Sequence, residues 1–246
     1  MSLRLAALLL TTGLLQADAL SELKETLLRL NGQEPVKASV EYAYWSRQGD
    51  EKAPVVTEGK ASAFIEDGPQ GLKMAWSRAL LQAAQQEAKV LAMDPEKRGM
   101  TRRAIEGLKA LEVNEYLNAA EDLLRTLEQG QLVDEKAEPW QGKTARRLHF
   151  KLTPRLSKQD KKYVKDLDAT ATIWVGADGL PLAAETQTRM KGRALLVISF
   201  DQQRKEAFQF TRVGNRLVVV LHTQESSGSG GGERGQSRTT TTLRLG

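Results

Sequence analysis

The sequence predicts an α+β fold in which a large antiparallel sheet buries one face against helices, and three patterns predict it. Long stretches alternate apolar and polar residues with a period of two, a central stretch switches to helical spacing, and everything after Gly130 returns to strand-like runs joined by short turns. Such closely spaced turns favour neighbouring antiparallel strands, because parallel pairing needs long crossovers.

The elements follow in order. MSLRLAALLLTTGLLQADA places Arg4 ahead of an apolar run, Leu5 to Leu15, and then the small-x-small triplet Ala17-Asp18-Ala19. This is the layout of a secretory signal peptide over residues 1–19, cleaved after about Ala19. A membrane anchor is the weaker alternative, since a spanning helix needs roughly 20 apolar residues. The expected mature chain, 20–246, is one domain without a transmembrane segment, released into an exported space that we read as a periplasm. It has no cysteine, so its core must hold it without disulfides or thiolate metal ligands. The net charge of +5 is compatible with an anionic envelope partner but too dilute for nucleic acid.

Leu20, Leu23, Leu27 and Leu30 recur at helical spacing, with Ser21 to cap the start and Asn31-Gly32 to stop. In VKASVEYAYWS the period becomes two, with Val36, Ala38, Val40, Tyr42 and Tyr44 on one face. VVTEGKASAFIED and the Leu72, Met74, Trp76 alternation predict two more strands. A helical insert is expected at about 78–130, in two or three helices, with Asp94-Pro95 starting a new one. Beyond it the expected strands are KTARRLHFKL, ATATIWV, LAAETQTRM, RALLVISF, EAFQFTRV, RLVVVLHTQE and RTTTTLRL.

Candidate chemistry is sparse. Gly230 to Gly235 fits G-x-G-x-x-G, but a dinucleotide site needs a helix after it, and Thr239 to Thr242 form a β-branched run that favours strand. The glycines therefore read as a long, flexible hairpin tip, with Ser226 to Ser237 the most mobile internal loop. His149 and His222 are the two histidines. His149 reads as solvent-facing, and His222 shares parity with Val218 and Val220. Neither has metal-ligand spacing, so both read as structural. There is no G-x-S-x-G elbow, and Glu121-Asp122 reads as a solvated helix face. The sequence thus predicts no enzyme, cofactor or metal. KTARRLHFKLTPRLSKQDKKYVK is the strongest charge feature. Arg146, Arg147, Lys151, Arg155, Lys161 and Lys162 form a candidate patch for an anionic partner, against the alternative of a solvated strand and loop.

At IWVGADGLPLAAETQTRMKG, Ile173 to Gly192, a strand, an Asp-Gly-Leu-Pro turn, a second strand and a Lys-Gly turn resemble a hairpin of the bacterial periplasmic lipoprotein-carrier superfamily, the LolA/LppX-like group. The order of elements is similar too. The resemblance implies a curved, half-closed sheet, an open half-barrel, with the N-terminal helix and the helical insert packed on its concave face. It also implies an apolar interior that holds acyl chains. Tyr42, Tyr44, Met74, Trp76 and Trp174 are then the expected cavity lining, with Leu117, Leu123 and Leu124 as lid. The expected function is a monomeric, non-enzymatic periplasmic binding protein for an acyl chain, lipid or lipidated protein. The rival is an envelope scaffold with a packed core that docks an acidic partner through its basic strand.

Overall fold

The structure is a computed structural model that describes residues 11–50, 52–94, 96–194 and 198–246. It opens with α1 (Thr11–Arg29), followed by β1 (Val36–Gly49), β2 (Val55–Asp67) and β3 (Lys73–Trp76). Four helices come next: α2 (Arg78–Met93), α3 (Met100–Gly107), α4 (Ala110–Leu117) and α5 (Ala119–Glu128). Then come β4 (Gly130–Ala137), β5 (Ala145–Leu152), the single turn α6 (Asp160–Tyr163), β6 (Val164–Gly176) and β7 (Pro181–Ala194). β8 (Ile198–Val213), β9 (Arg216–Gly230) and β10 (Glu233–Leu245) complete the chain.

The fold is α+β, as the alternation required. Among the described residues the strands form one antiparallel ten-stranded sheet, ordered β3-β2-β1-β10-β9-β8-β7-β6-β5-β4, which stays open because its end strands do not pair with each other. Sequence periodicity cannot show that the last strand pairs with the first, yet β10 lies against β1 over Ala38↔Leu245 to Gly49↔Arg234. This joins the N-terminal strands to the C-terminal meander.

The helices pack on one sheet face through two main clusters. Leu23 and Leu27 of α1, with Leu30 just after it, meet Leu123 and Leu127 of α5 over Leu148, Phe150, Ile173 and Val175. Leu108, Val113 and Leu117 cover Val36, Val40, Ile65 and Leu243. Burying each such aliphatic side chain contributes about 1.5–3 kcal/mol. That is why apolar spacing specifies these helices where a capping side chain is missing; at α3, which follows Gly99, the Glu87 carboxylate from α2 takes the place of a cap and accepts from Thr101 N and Arg102 N. Gly107 ends α3 against the Tyr42 ring, where a Cβ would lie 2.4 Å from the nearest ring carbon.

Several expectations need correction. The helical insert breaks into four pieces, and Asp94 ends α2 instead of starting a helix, while Pro95 lies outside the described residues. QLVDEKA, which follows the insert and lies in none of the expected strands, forms β4 with Gly130 and pairs with β5. RALLVISF is not a separate strand: its ends finish β7 and begin β8, with Ala194 opposite Ile198, and residues 195–197 lie outside the described set. The glycine run is no floppy tip either. Ser226 to Gly230 and Glu233 to Ser237 are laddered, and only Gly231-Gly232 turn. Both have positive φ, 62° and 88°, the combination that a two-residue type I′ hairpin demands and glycine supplies at least cost.

Candidate functional site

Register determines which side chains meet on the helix-bearing face. Ile173, Ala184, Phe208, His222, Thr241 and Tyr42 stand abreast across β6, β7, β8, β9, β10 and β1. The next rung is Ala171, Thr186, Glu206, Gln224, Thr239 and Tyr44. Between these rungs and the helices α4 and α5 lies a cleft of about 980 Å³. Leu123 and Ala119 face it from the helices, and Leu152, Ile173, Phe208, Phe210 and Val219 from the sheet. The Phe208 and Phe210 rings stack with centroids 6.4 Å apart.

A polar cluster forms one wall. Tyr116 of α4 donates its hydroxyl proton to Glu112 one turn earlier, and its oxygen lies 2.7 Å from His222 Nδ1. Burial first, and then the Glu112 carboxylate, push the Tyr116 phenol far above its usual range, so it keeps its proton. The imidazole is 5% exposed and lies flat on Phe208, at 4.5 Å and 11°. Its Nε2 is buried without a hydrogen bond and stands 3.6 Å from Glu206 Oε1, too far for a formed bond. Glu206 also accepts from Arg204 Nη2 at 2.8 Å and from Thr186 Oγ1 at 3.3 Å. Burial alone would raise this carboxyl, but His222 and Arg204 outweigh it and hold it down at about 2.

One backbone irregularity aims His222 inward. Gln209 pairs with Leu221 but Phe210 pairs with Val219, so Val220 is an extra residue in β9. A bulge of this kind reverses the side-chain alternation beyond it. His222 therefore leaves the parity of Val218 and Val220 that the sequence implied and joins the face of Leu217 and Val219. The ladder to β10 also stops at Leu221, and the segment just after α1 bonds the start of β9 and the turn before it, through Leu217 N to Leu30 O at 3.1 Å and Gly32 N to Asn215 O at 3.0 Å. The reading of His222 as a lone structural residue missed its convergence with Glu112, Tyr116 and Glu206. The available signal was the run VVVLH, where unbroken apolar residues obscure a period of two.

Of the residues expected to line a cavity, Tyr42 and Leu123 line this cleft. Tyr44 packs instead against Ala61 and Ala104, with Arg103 over its ring at 5.1 Å. Met74 and Trp76 flank the second core cluster near the β3 edge, and Leu117 is inside that cluster. Leu124 packs at the margin of the first. Trp174 alternates with the buried Ile173 and Val175, so it lies on the opposite sheet face, where its Nε1 donates to Glu138 at 3.2 Å.

The basic strand is substantially neutralised. Arg146 pairs with Glu22 at 3.0 Å and Glu135 at 3.5 Å, Arg147 with Asp134 at 2.7 Å and Glu138 at 3.2 Å, and Lys151 with Asp168. Acids distant in sequence cancel the charge that looked concentrated in the linear chain, while Arg155, Lys161 and Lys162 stand in the exposed segment before β6. His149 faces outward and contacts Thr172 Oγ1 at 2.9 Å. Among the described residues no helix is long and apolar enough to cross a membrane.

No family model matches the chain, and no curated protein matches it. Among solved structures it matches, with 11% identity over 93% of this chain and 92% of the other, a crystal structure from Vibrio parahaemolyticus named as an outer membrane lipoprotein-sorting protein domain. The TM-score is 0.30, and at that level the likeness carries no functional information.

Proposed function

We propose that this protein is a non-enzymatic, exported binding protein that takes an acyl chain, of a lipid or of a lipidated protein, into the cleft between α4, α5 and the sheet. The observation that carries this reading is the cleft of about 980 Å³ floored by Phe208, Phe210, Ile173, Leu152 and Val219. Transfer of an apolar chain onto such a surface contributes about 0.8 kcal/mol per buried CH₂, so no covalent step is required. A binding role also suits the His222 imidazole. One nitrogen is engaged by Tyr116, and the other is closed off from solvent beside Glu206, an arrangement unsuited to a base that must reach a substrate. The rival reading, docking of an acidic partner through the basic strand, is weakened because Arg146, Arg147 and Lys151 already have acidic partners.

The test is mass spectrometry of lipids extracted from protein purified from its native envelope, together with titration of a fluorescent fatty acid. The expected result is a co-purified acyl lipid and saturable binding that Phe208→Asp abolishes. A protein free of lipid that also fails to bind the probe would sink the proposal.

A further inference from the structure

The cleft does not end where the helices end. Two further rungs continue along the same sheet face, Thr188, Arg204, Ser226 and Ser237, and then Met190, Gln202, Gly228, Gly235 and Gln48. They floor a second hollow of about 680 Å³, and Thr188, Arg204 and Glu206 line both spaces. The chemistry changes abruptly along β8, from Phe210 and Phe208 through Glu206 and Arg204 to Gln202. That stretch spans about 27 Å at the usual strand rise.

Two properties of the second hollow indicate an occupant. Its walls carry hydroxyls and carboxamides, and its charged lining residues, Arg204 and Glu206, are bonded to each other at 2.8 Å. An anionic head group would meet the Glu206 carboxylate and a cationic one the Arg204 guanidinium, whereas an uncharged hydroxylated group can donate and accept at every rung. Ser226, Ser237, Gly228 and Gly235 also give the hollow depth, since the opposed glycines put no side chain into it.

We infer that the hollow is a head-group compartment, and that the ligand is an amphiphile whose apolar chain lies in the cleft and whose uncharged, hydroxyl-rich head lies on the serine, glutamine and glycine rungs. The inference rests on the reading that the cleft takes an apolar chain. A sugar and a glycerol share the required chemistry.

The experiment uses the full-length protein and compares probes with one chain and different heads: dodecyl maltoside, monolaurin, dodecyl phosphate, dodecyltrimethylammonium and dodecanol. Each is titrated below its critical micelle concentration by calorimetry. Maltoside or monolaurin, or both, are expected to bind about tenfold more tightly than the charged probes and dodecanol, the gain of one or two well-made hydrogen bonds. Their ranking separates a sugar head from a glycerol head. Gly228→Phe, which fills the hollow, and Gln202→Ala, which removes an amide from it, are each expected to collapse the ratio of maltoside to dodecanol affinity. Equal affinities, a preference for either charged probe, or an unchanged ratio in a folded variant overturns the head-group compartment while leaving the chain reading intact. Failure of every probe to bind overturns both.

Discussion

Arg216 and His222 stand on the same strand and are both buried, 2% and 5% exposed, but they are satisfied to different degrees. Arg216 engages all three nitrogens of its guanidinium. Nε donates to Leu117 O at 2.6 Å, Nη1 to Glu34 O at 2.9 Å, and Nη2 to Asn118 Oδ1 at 3.3 Å and Asp67 Oδ2 at 2.6 Å. It thereby ties the α4–α5 junction, the segment before β1 and the end of β2 to β9. His222 has Nδ1 on Tyr116 while Nε2 has no hydrogen bond beside Glu206. A buried polar group with every nitrogen engaged holds a fold together. One with a position left over costs stability, and this one sits in the wall of a cleft, where the fold has conceded something to the site.

The comparison is sharpest if the two residues can be broken separately. Arg216→Met is expected to have the largest effect, a loss of about 3–5 kcal/mol, because it strands the largely buried Asp67 carboxylate and two carbonyls without their donor. Urea denaturation measures it, and a loss under about 1 kcal/mol would show that Arg216 is not the tie described here. Acid titration of the His222 wall comes next. The Glu206 carboxyl ionises at about 2 in the fold against 4.5 ordinarily, so its contribution is complete above pH 4.5 and is lost as pH falls toward 2. That amounts to about 3 kcal/mol. In Glu206→Gln this acid-limb loss should disappear and the variant should be correspondingly weaker at neutral pH; an unaltered slope between those pH values would refute the assignment.

Tyr116→Phe should cost about 1–3 kcal/mol, since Nδ1 of the buried imidazole then loses its partner. His222→Phe should cost about 1–2 kcal/mol, because it keeps the stacking on Phe208 and removes the unbonded nitrogen while Tyr116 retains Glu112, but Glu206 loses part of what holds its charge. The same substitution should make the acid-limb loss smaller and complete it at higher pH, as Glu206 is deprived of a neighbour that favours its charge. If His222→Phe proved as damaging as Arg216→Met in chemical denaturation, the contrast between the two residues would collapse.

Much of the fold was legible because it is written in local periods. Ala169, Ala171, Ile173 and Val175 alternate with polar residues, and all four are buried on one face of β6. Leu123 and Leu127 recur at helical spacing and are buried on α5. Where the period was interrupted, legibility failed: at Val220, at the glycine turn whose flanking strands were too polar to look like strands, and in QLVDEKA. The cleft was half legible. Tyr42 and Leu123 were in view, but Trp174 drew attention by its size although its parity places it opposite Ile173.

The sequence by itself determined the α+β class, the positions of most strands and the apolar faces of the helices, because alternation and 3.6-residue spacing depend only on which way consecutive side chains point. Only the tertiary structure decided that β10 lies beside β1, that the basic strand faces acids from α1 and β4, and that Glu112, Tyr116, Glu206 and His222 meet at one wall. Those outcomes depend on register and on a single extra residue in β9. They are settled by the burial and pairing of the whole sheet together, which no short window of sequence contains.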